Sequence, residues 1–157
     1  MRTGIGYDVH AFATGRPLVL GGVRVPHDAG LAGHSDGDAL THAIIDALLG
    51  AAALGDIGSH FPSDDERYRD VASIDLLRQT VALVAQAGYR VGNVDASVVA
   101  EAPALAPHVD AMRANLAAAL GVDAGAVSMK ATTTDGLGAI GRGEGIAALA
   151  VALLDSA

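Results

Sequence analysis

The sequence predicts one α/β or α+β domain built on a single sheet with helices on one side. Three observations predict it. Segments alternating with a period of two take turns with segments of helical period along 157 residues. Hydrophobic residues make up 51% of the chain and aromatics 3%, so Ala, Val, Leu and Ile must build a closely packed core. The length fits one domain, spanning residues 1–157, and neither an internal repeat nor a linker interrupts it.

Ile5 to His10 reads as a strand. Pro17-Leu-Val-Leu20 and Val23-Arg-Val25 form a hairpin around Gly21-Gly22. Helical periodicity then runs from Asp36 to Leu54, with Leu40, Ile44, Leu48 and Ala51 or Ala52 on one stripe and Gly33-His34-Ser35-Asp36 as capping residues. A polar loop extends from Gly55 to about Tyr68. A second helix covers Ser73 to Ala87 with Gly88 as its stop, and Tyr89 to Ala100 alternates like a strand. Pro107 to Leu120 is a third helix, closed by Gly121. Val127 to Thr132 is a strand, followed by a glycine-rich loop from Asp135 to Gly145. Ile146 to Leu154 is helix or strand by pattern alone.

Composition narrows the function classes. A formal charge of −8 with no Lys/Arg run argues against a nucleic-acid surface. Without cysteine, a metal site would rest on His, Asp and Glu, and six histidines are present. No apolar leader or stretch of eighteen uncharged apolar residues is visible, so we expect a soluble, cytoplasmic protein without membrane partners.

Asp8 and His10 sit two apart on a strand, on the same face, where they form either an ordinary polar pair or half of a metal site. His42 is the candidate third ligand, one helical turn from both Asp38 and Asp46, whose carboxylates could orient its imidazole. Two His and one Asp with an open fourth position would match a catalytic zinc site. Gly33-His34-Ser35 offers either plain capping or a phosphate site at a helix N-terminus. Thr132, Thr133, Thr134 and Asp135 end a strand, as ordinary Thr enrichment or as hydroxyls for a phosphate beside a carboxylate for a divalent ion. Gly4-x-Gly6 lacks the third glycine and the following helix of a dinucleotide fingerprint.

Six blocks occur together, in order and over nearly the whole chain: Gly6-Tyr-Asp-Val-His10, Gly33-His-Ser-Asp-Gly-Asp38, Gly55-Asp-Ile-Gly58, Phe61-Pro62, Lys130-Ala-Thr-Thr-Thr134 and Gly141-Arg-Gly-Glu-Gly145. In these the chain resembles the 2-C-methyl-D-erythritol 2,4-cyclodiphosphate synthase family of the non-mevalonate isoprenoid pathway. The resemblance implies an α+β fold, with a mixed four-stranded sheet and helices on one face, and a homotrimer with active sites between subunits. It makes the final apolar run a strand. It also implies Asp8, His10 and His42 as ligands of one Zn2+ per subunit, Asp135 as a ligand of Mg2+ or Mn2+, and His34 and Thr133 as stabilisers of the transition state. The implied substrate is 4-diphosphocytidyl-2-C-methyl-D-erythritol 2-phosphate, which closes to the cyclic diphosphate and releases CMP. Asp8, His10, His34 and Ser35 would touch it, with Asp56, Ile57 and Gly58 toward ribose and erythritol. Phe61, Pro62, Ser63, Asp64 and Asp65 would lie beside the erythritol. The Ala100 to Ala106 loop, including Pro103, Ala104 and Leu105, would face cytidine together with Thr132, and Thr134 and Asp135 would complete the phosphate end. Ala139, Arg142 and Glu144 match positions near the trimer axis, where a channel accepts isoprenoid diphosphates.

The chain departs from the family where Glu gives way to Asp135, Lys to Gly136, Gln to Glu101, Lys to Ala104, Asp to Ser63 and Phe to Ala139. Two other readings use the same residues. A metal phosphohydrolase would let water attack, and an inactive trimeric binding module would keep only the scaffold.

Overall fold

A computed structural model describes residues 1–157. Strand β1 (Arg2–Ala13) opens the chain, followed by the hairpin β2 (Leu18–Leu20) and β3 (Val23–Val25), and by the two-residue β4 (Gly30–Leu31). Helix α1 (Ala39–Ala52) precedes the short α2 (Ile57–His60), a 3-10 turn at Glu66–Tyr68, and α3 (Ser73–Gln86). After β5 (Tyr89–Val99) come α4 (Val109–Leu120), β6 (Val127–Thr132), the one-turn α5 (Gly138–Gly141) and β7 (Gly145–Ser156).

The main sheet has the order β4-β1-β7-β5-β6. It is mixed, since β7 is antiparallel to both β1 and β5 while β5 and β6 run parallel. The sheet therefore has five strands rather than the expected four, because β4 pairs with the far end of β1 through Phe12↔Leu31 and Ala13↔Gly30. The last apolar run is a strand, as the resemblance implied.

Strand alternation divides β1 cleanly. Gly4, Gly6, Asp8 and His10 face the helices, while Ile5, Tyr7 and Val9 are exposed on the other side. The two glycines let α1 lie directly on the sheet. A Cβ on Gly4 would stand 2.0 Å from the Ala47 carbonyl oxygen, and one on Gly6 would stand 1.8 Å from that of Ala43. On β7 the buried Ala148, Ala150 and Ala152 extend the same low surface. This accounts for the alanine-rich composition: the helix axis approaches so closely that larger side chains have no room.

Helix α1 differs from its sequence reading in two ways. It begins at Ala39 with Asp38 as N-cap, so Gly33 to Asp36 is a loop rather than a cap. Twelve of its fourteen residues are buried rather than one stripe, because the sheet, α3 and the hairpin enclose it. Asp38 joins these parts. Its carboxylate accepts from the Thr41 amide at 3.0 Å and the Thr41 hydroxyl at 2.7 Å, and also from the amides of Gly21 (2.9 Å) and Gly22 (2.8 Å) in the hairpin turn. Both turn glycines have positive φ, 56° and 70°, which a two-residue type I′ turn requires. The third helix starts at Val109, after a 3-10 turn at Ala106–His108, two residues later than Pro107 suggested. No helix is long and apolar enough to cross a membrane.

The glycine contact makes a direct prediction. Gly6→Ala should lower stability by at least the roughly 1–3 kcal/mol typical of overpacking, since backbone rather than a flexible side chain must yield. Gly125→Ala is the control, because nothing lies within 4 Å of a Cβ there. Thermal unfolding of both variants checks this, and equal melting temperatures would remove the close approach from the account.

Candidate active site

The first cluster forms where α1 crosses β1. Asp8 and His10 project from the same face of the strand, and the close helix brings His42 from its first turn to meet them. His10 Nε2 lies 2.8 Å from Asp8 Oδ2, His42 Nδ1 lies 3.1 Å from the same oxygen, and the two ring nitrogens are 3.2 Å apart. One ligand atom from each residue falls within 4.8 Å of the others, which fits a metal ion held by two imidazoles and a carboxylate with a fourth position open. The second ring nitrogen of His10 donates to the Ala32 carbonyl, so in the neutral ring Nε2 carries the lone pair and in the charged ring it donates to Asp8.

The electrostatics match this arrangement. Partial burial opposes the Asp8 charge, but hydrogen bonds and charge from His10 and His42 outweigh it and hold Asp8 well below the usual carboxylate range. The hydrogen bond that the charged His10 ring donates to Asp8 raises His10 above its ordinary value, against the opposing effect of burial. A carboxylate that stabilises a cation on the ring will do the same for a metal.

Asp38 and Asp46 do not orient His42, as their spacing suggested. Asp38 is committed to Thr41 and the hairpin, and Asp46 Oδ1 accepts from the Ile57 amide at 2.8 Å, tying α2 to α1. The partners of His42 Nε2 are hydroxyls instead: Ser73 at 2.8 Å and Ser35 at 3.1 Å. Sequence reasoning missed Ser73, because it lies on α3, 31 residues from His42, with no local spacing to betray it.

These residues floor a cavity of about 230 Å³ lined by Asp8, His10, His34, Ser35, His42, Ile57, Gly58, Phe61, Ser63, Tyr68 and Leu76. Nine of the eleven belong to the site residues that the sequence singled out. Tyr68 and Leu76 were not among them. Tyr68 packs edge-on against Phe61, with ring centroids 5.4 Å apart. The loop carrying His34 is held from below by Arg16, which donates to the carbonyls of Gly33 (2.6 Å) and Ser35. His34 Nε2 donates to the Asp65 carbonyl at 2.8 Å. Asp56 caps α2 through the Ser59 amide at 2.9 Å, and the Asp65 carboxylate caps the next turn and pairs with Arg67. Pro62 and Asp64 lie in the same loop and do not line the cavity.

The second cluster lies at the other edge of the sheet. Thr132 ends β6, and Thr133, Thr134 and Asp135 follow. Asp135 has a φ of 53°, its amide donates to the Thr133 hydroxyl at 3.1 Å, and its carboxylate is exposed. Glu101, from the Ala100 to Ala106 loop, accepts from the amides of Thr134 (3.0 Å) and Gly136 (3.2 Å). The Gly136 and Thr134 amides hold its carboxyl below the usual range. The loop with Pro103, Ala104, Leu105 and Ala106 is thereby joined to the Thr-rich turn. Ala139 lies in α5, and Arg142 pairs with Glu144 at 2.8 Å nearby.

Register measures the gap between the clusters. Asp8 is level with Ala148, Val98 and Ala131 across β1, β7, β5 and β6, a separation of about 14 Å at the usual strand spacing. One chain does not bring the two clusters together.

Known proteins with this architecture are consistent in sequence and shape. A 2-C-methyl-D-erythritol 2,4-cyclodiphosphate synthase from Salinibacter ruber is 60% identical over 157 residues, all of both chains. Among solved structures, the bifunctional IspDF from Campylobacter jejuni superposes with a TM-score of 0.96 at 44% identity, covering 99% of this chain and 42% of that longer one. A 2C-methyl-D-erythritol-2,4-cyclodiphosphate synthase solved in a CDP-bound form gives a TM-score of 0.90 at 37% identity, covering 98% of this chain and 100% of that one. The model of the YgbB family matches residues 1–155, and the chain belongs to that family.

Proposed function

We propose that this chain is a single-domain 2-C-methyl-D-erythritol 2,4-cyclodiphosphate synthase of the non-mevalonate isoprenoid pathway. The observation that carries the reading is the Asp8, His10 and His42 triangle flooring a cavity, in a chain 60% identical end to end to a synthase of that name. Asp8, His10 and His42 would hold zinc, and Asp135, an exposed carboxylate with only the Thr133 hydroxyl upon it, suits a hard cation that takes its other ligands from phosphate and water. When bound, the two cations supply Lewis acidity toward a β-phosphate oxygen and share the charge of the departing nucleotide.

In the reaction the 2-phosphate oxygen of the cytidyl substrate bonds to the β-phosphorus, and the bond from that phosphorus to the bridging oxygen of the α-phosphate breaks. CMP leaves with that oxygen, and no water is consumed. The residues' task is to bring two anions together in line. Thr133 would donate its hydroxyl to the developing equatorial charge. His34 gives its Nε2–H to the Asp65 carbonyl, which fixes the ring in the cavity wall, where it would stand beside the phosphates. Ile57, Phe61 and Tyr68 line one part of the cavity with apolar surface, which would limit water at the β-phosphorus. The Ala100 to Ala106 loop and Thr132 would read cytidine, and a relative solved in a CDP-bound form supports a cytidine nucleotide as the ligand class.

We further propose a homotrimer with each site shared between subunits. The Asp8, His10 and His42 cluster and Asp135 would have to act on one diphosphate, whereas the two clusters of one chain are separated by about 14 Å. Ile5, Tyr7 and Val9 on β1, with Leu149 and Val151 on β7, leave a sheet face for a second copy to cover. Ala139, Arg142 and Glu144 would then approach the axis, where an isoprenoid diphosphate could bind.

Metal-loaded protein incubated with the cytidyl substrate should give CMP and a cyclic diphosphate by phosphorus NMR. Linear phosphates in their place would indicate a hydrolase. His42→Ala should lose zinc by elemental analysis together with activity, and full zinc content in that variant would remove the third ligand.

Subunit sharing is tested by complementation. His42→Ala and Thr133→Ala are each expected to be inactive. Mixed by co-expression they should recover about a quarter of the parent rate, because in random assembly one interface in four joins two intact halves. Light scattering should report three chains per particle. Failure of the mixture to recover any rate would sink the shared site.

Asp135→Ala should abolish most turnover while leaving zinc bound, and Asp135→Glu should retain activity. CMP release against magnesium or manganese concentration distinguishes them, and a metal dependence unchanged in Asp135→Ala would make Asp135 an ordinary loop residue.

A further inference from the structure

Beyond the ligand triangle, a buried polar chain leads away from His42 to the start of α3. His42 Nε2 lies 2.8 Å from Ser73 Oγ, and Ser73 Oγ lies 2.5 Å from Asp36 Oδ1. Ser73 is fully buried and every one of its polar groups is committed, since its amide also donates to Asp36 Oδ2 at 3.0 Å. Asp36 acts throughout as an acceptor, taking the Asp38 amide on Oδ1 at 3.1 Å as well. It therefore caps α3 from a loop 37 residues away, where a negative charge at a helix N-terminus is favourable and where Ala72 offers no side-chain cap.

From this geometry we infer that Ser73 and Asp36 are positioning residues which fix the tautomer and ring orientation of His42, an inference that rests on the metal reading above. A serine hydroxyl has one hydrogen. Spent on the Asp36 carboxylate, it leaves Ser73 Oγ able only to accept from His42, so the ring proton resides on Nε2. Nδ1 then presents a lone pair toward Asp8 Oδ2 and His10 Nε2, and His10 reaches the same state by giving its other N–H to Ala32. In that neutral state His42 Nδ1, His10 Nε2 and Asp8 Oδ2 all offer lone pairs to one point, which is the state a metal ion requires of its ligands. The Ser35 hydroxyl stands 3.1 Å from the same His42 nitrogen and 3.4 Å from Ser73 Oγ, to which it can donate.

The test measures the ring and the metal separately. In metal-free parent protein, long-range nitrogen–proton NMR correlations should show His42 protonated at Nε2, and protonation at Nδ1 would overturn the proposal whatever the variants do. Zinc affinity by competition with a chromogenic chelator should fall about 10–100-fold in Ser73→Ala, the usual effect of removing a partner behind a ligating histidine. The cobalt-substituted variant should also show a shifted ligand-field spectrum. Unchanged zinc affinity and spectrum in folded Ser73→Ala would equally refute the relay. If the parent itself binds no zinc, the metal reading fails, while the tautomer measured without metal still decides whether Ser73 and Asp36 orient His42.

Discussion

The approach of α1 to β1 over Gly4 and Gly6 is the constraint on which the rest of this structure depends. A helix normally packs on a sheet through side chains, and here the carbonyls of Ala43 and Ala47 lie where side chains of β1 would begin. Two residues further along the strand, the same face carries Asp8 and His10 instead of glycine. They fill the space that opens as the helix passes, and His42 in the first turn of α1 closes it. The Asp8, His10 and His42 triangle is thus a continuation of the packing seam. Its rigidity comes from helix and strand rather than from loops, which suits side chains that converge on one point.

Asp38 and Asp36, two residues apart, divide the labour of holding that seam in place. Asp38 binds the start of α1 to the hairpin turn at Gly21 and Gly22, and Asp36 binds the start of α3 to the loop before α1. Each carboxylate satisfies amides that would otherwise be left without partners at a helix start or a tight turn. The loop just before them carries His34 and Ser35, anchored below by Arg16. A short polar stretch that looked like one helix cap is therefore two caps for two different helices, with cavity-lining residues beside them.

This explains which parts were legible in the sequence. Periodicity located the main strands and helices, and the two-residue spacing of Asp8 and His10 put them on one face, because a strand's geometry is local. The role of Gly4 and Gly6 was not legible: as a motif they suggested only an incomplete nucleotide fingerprint, and their purpose appears when α1 is laid across them. Spacing along α1 likewise nominated Asp38 and Asp46 as partners for His42, while the true partners, Ser35 and Ser73, come from other segments. The short β4 left too little pattern to predict a fifth strand. Glu101, marked only as a departure from the family, proves to tie its loop to the Thr-rich turn through the amides of Thr134 and Gly136.

The position of β7 has a consequence for how the chain reaches this state. β7, residues 145–156, is the last strand in sequence, yet it lies between β1 and β5 and hydrogen-bonds to both. During synthesis β1 and β5 emerge early and have no direct pairing with each other. Helices can form on their own timescale, but the sheet beneath them stays open until this strand leaves the ribosome and inserts along its full length. Until then the edges of β1 and β5 that β7 will fill are unprotected, and α1 has only β1 beneath it. Sheet closure is consequently a late, long-range event, and the nascent chain's exposure to misassociation is greatest just before β7 is made.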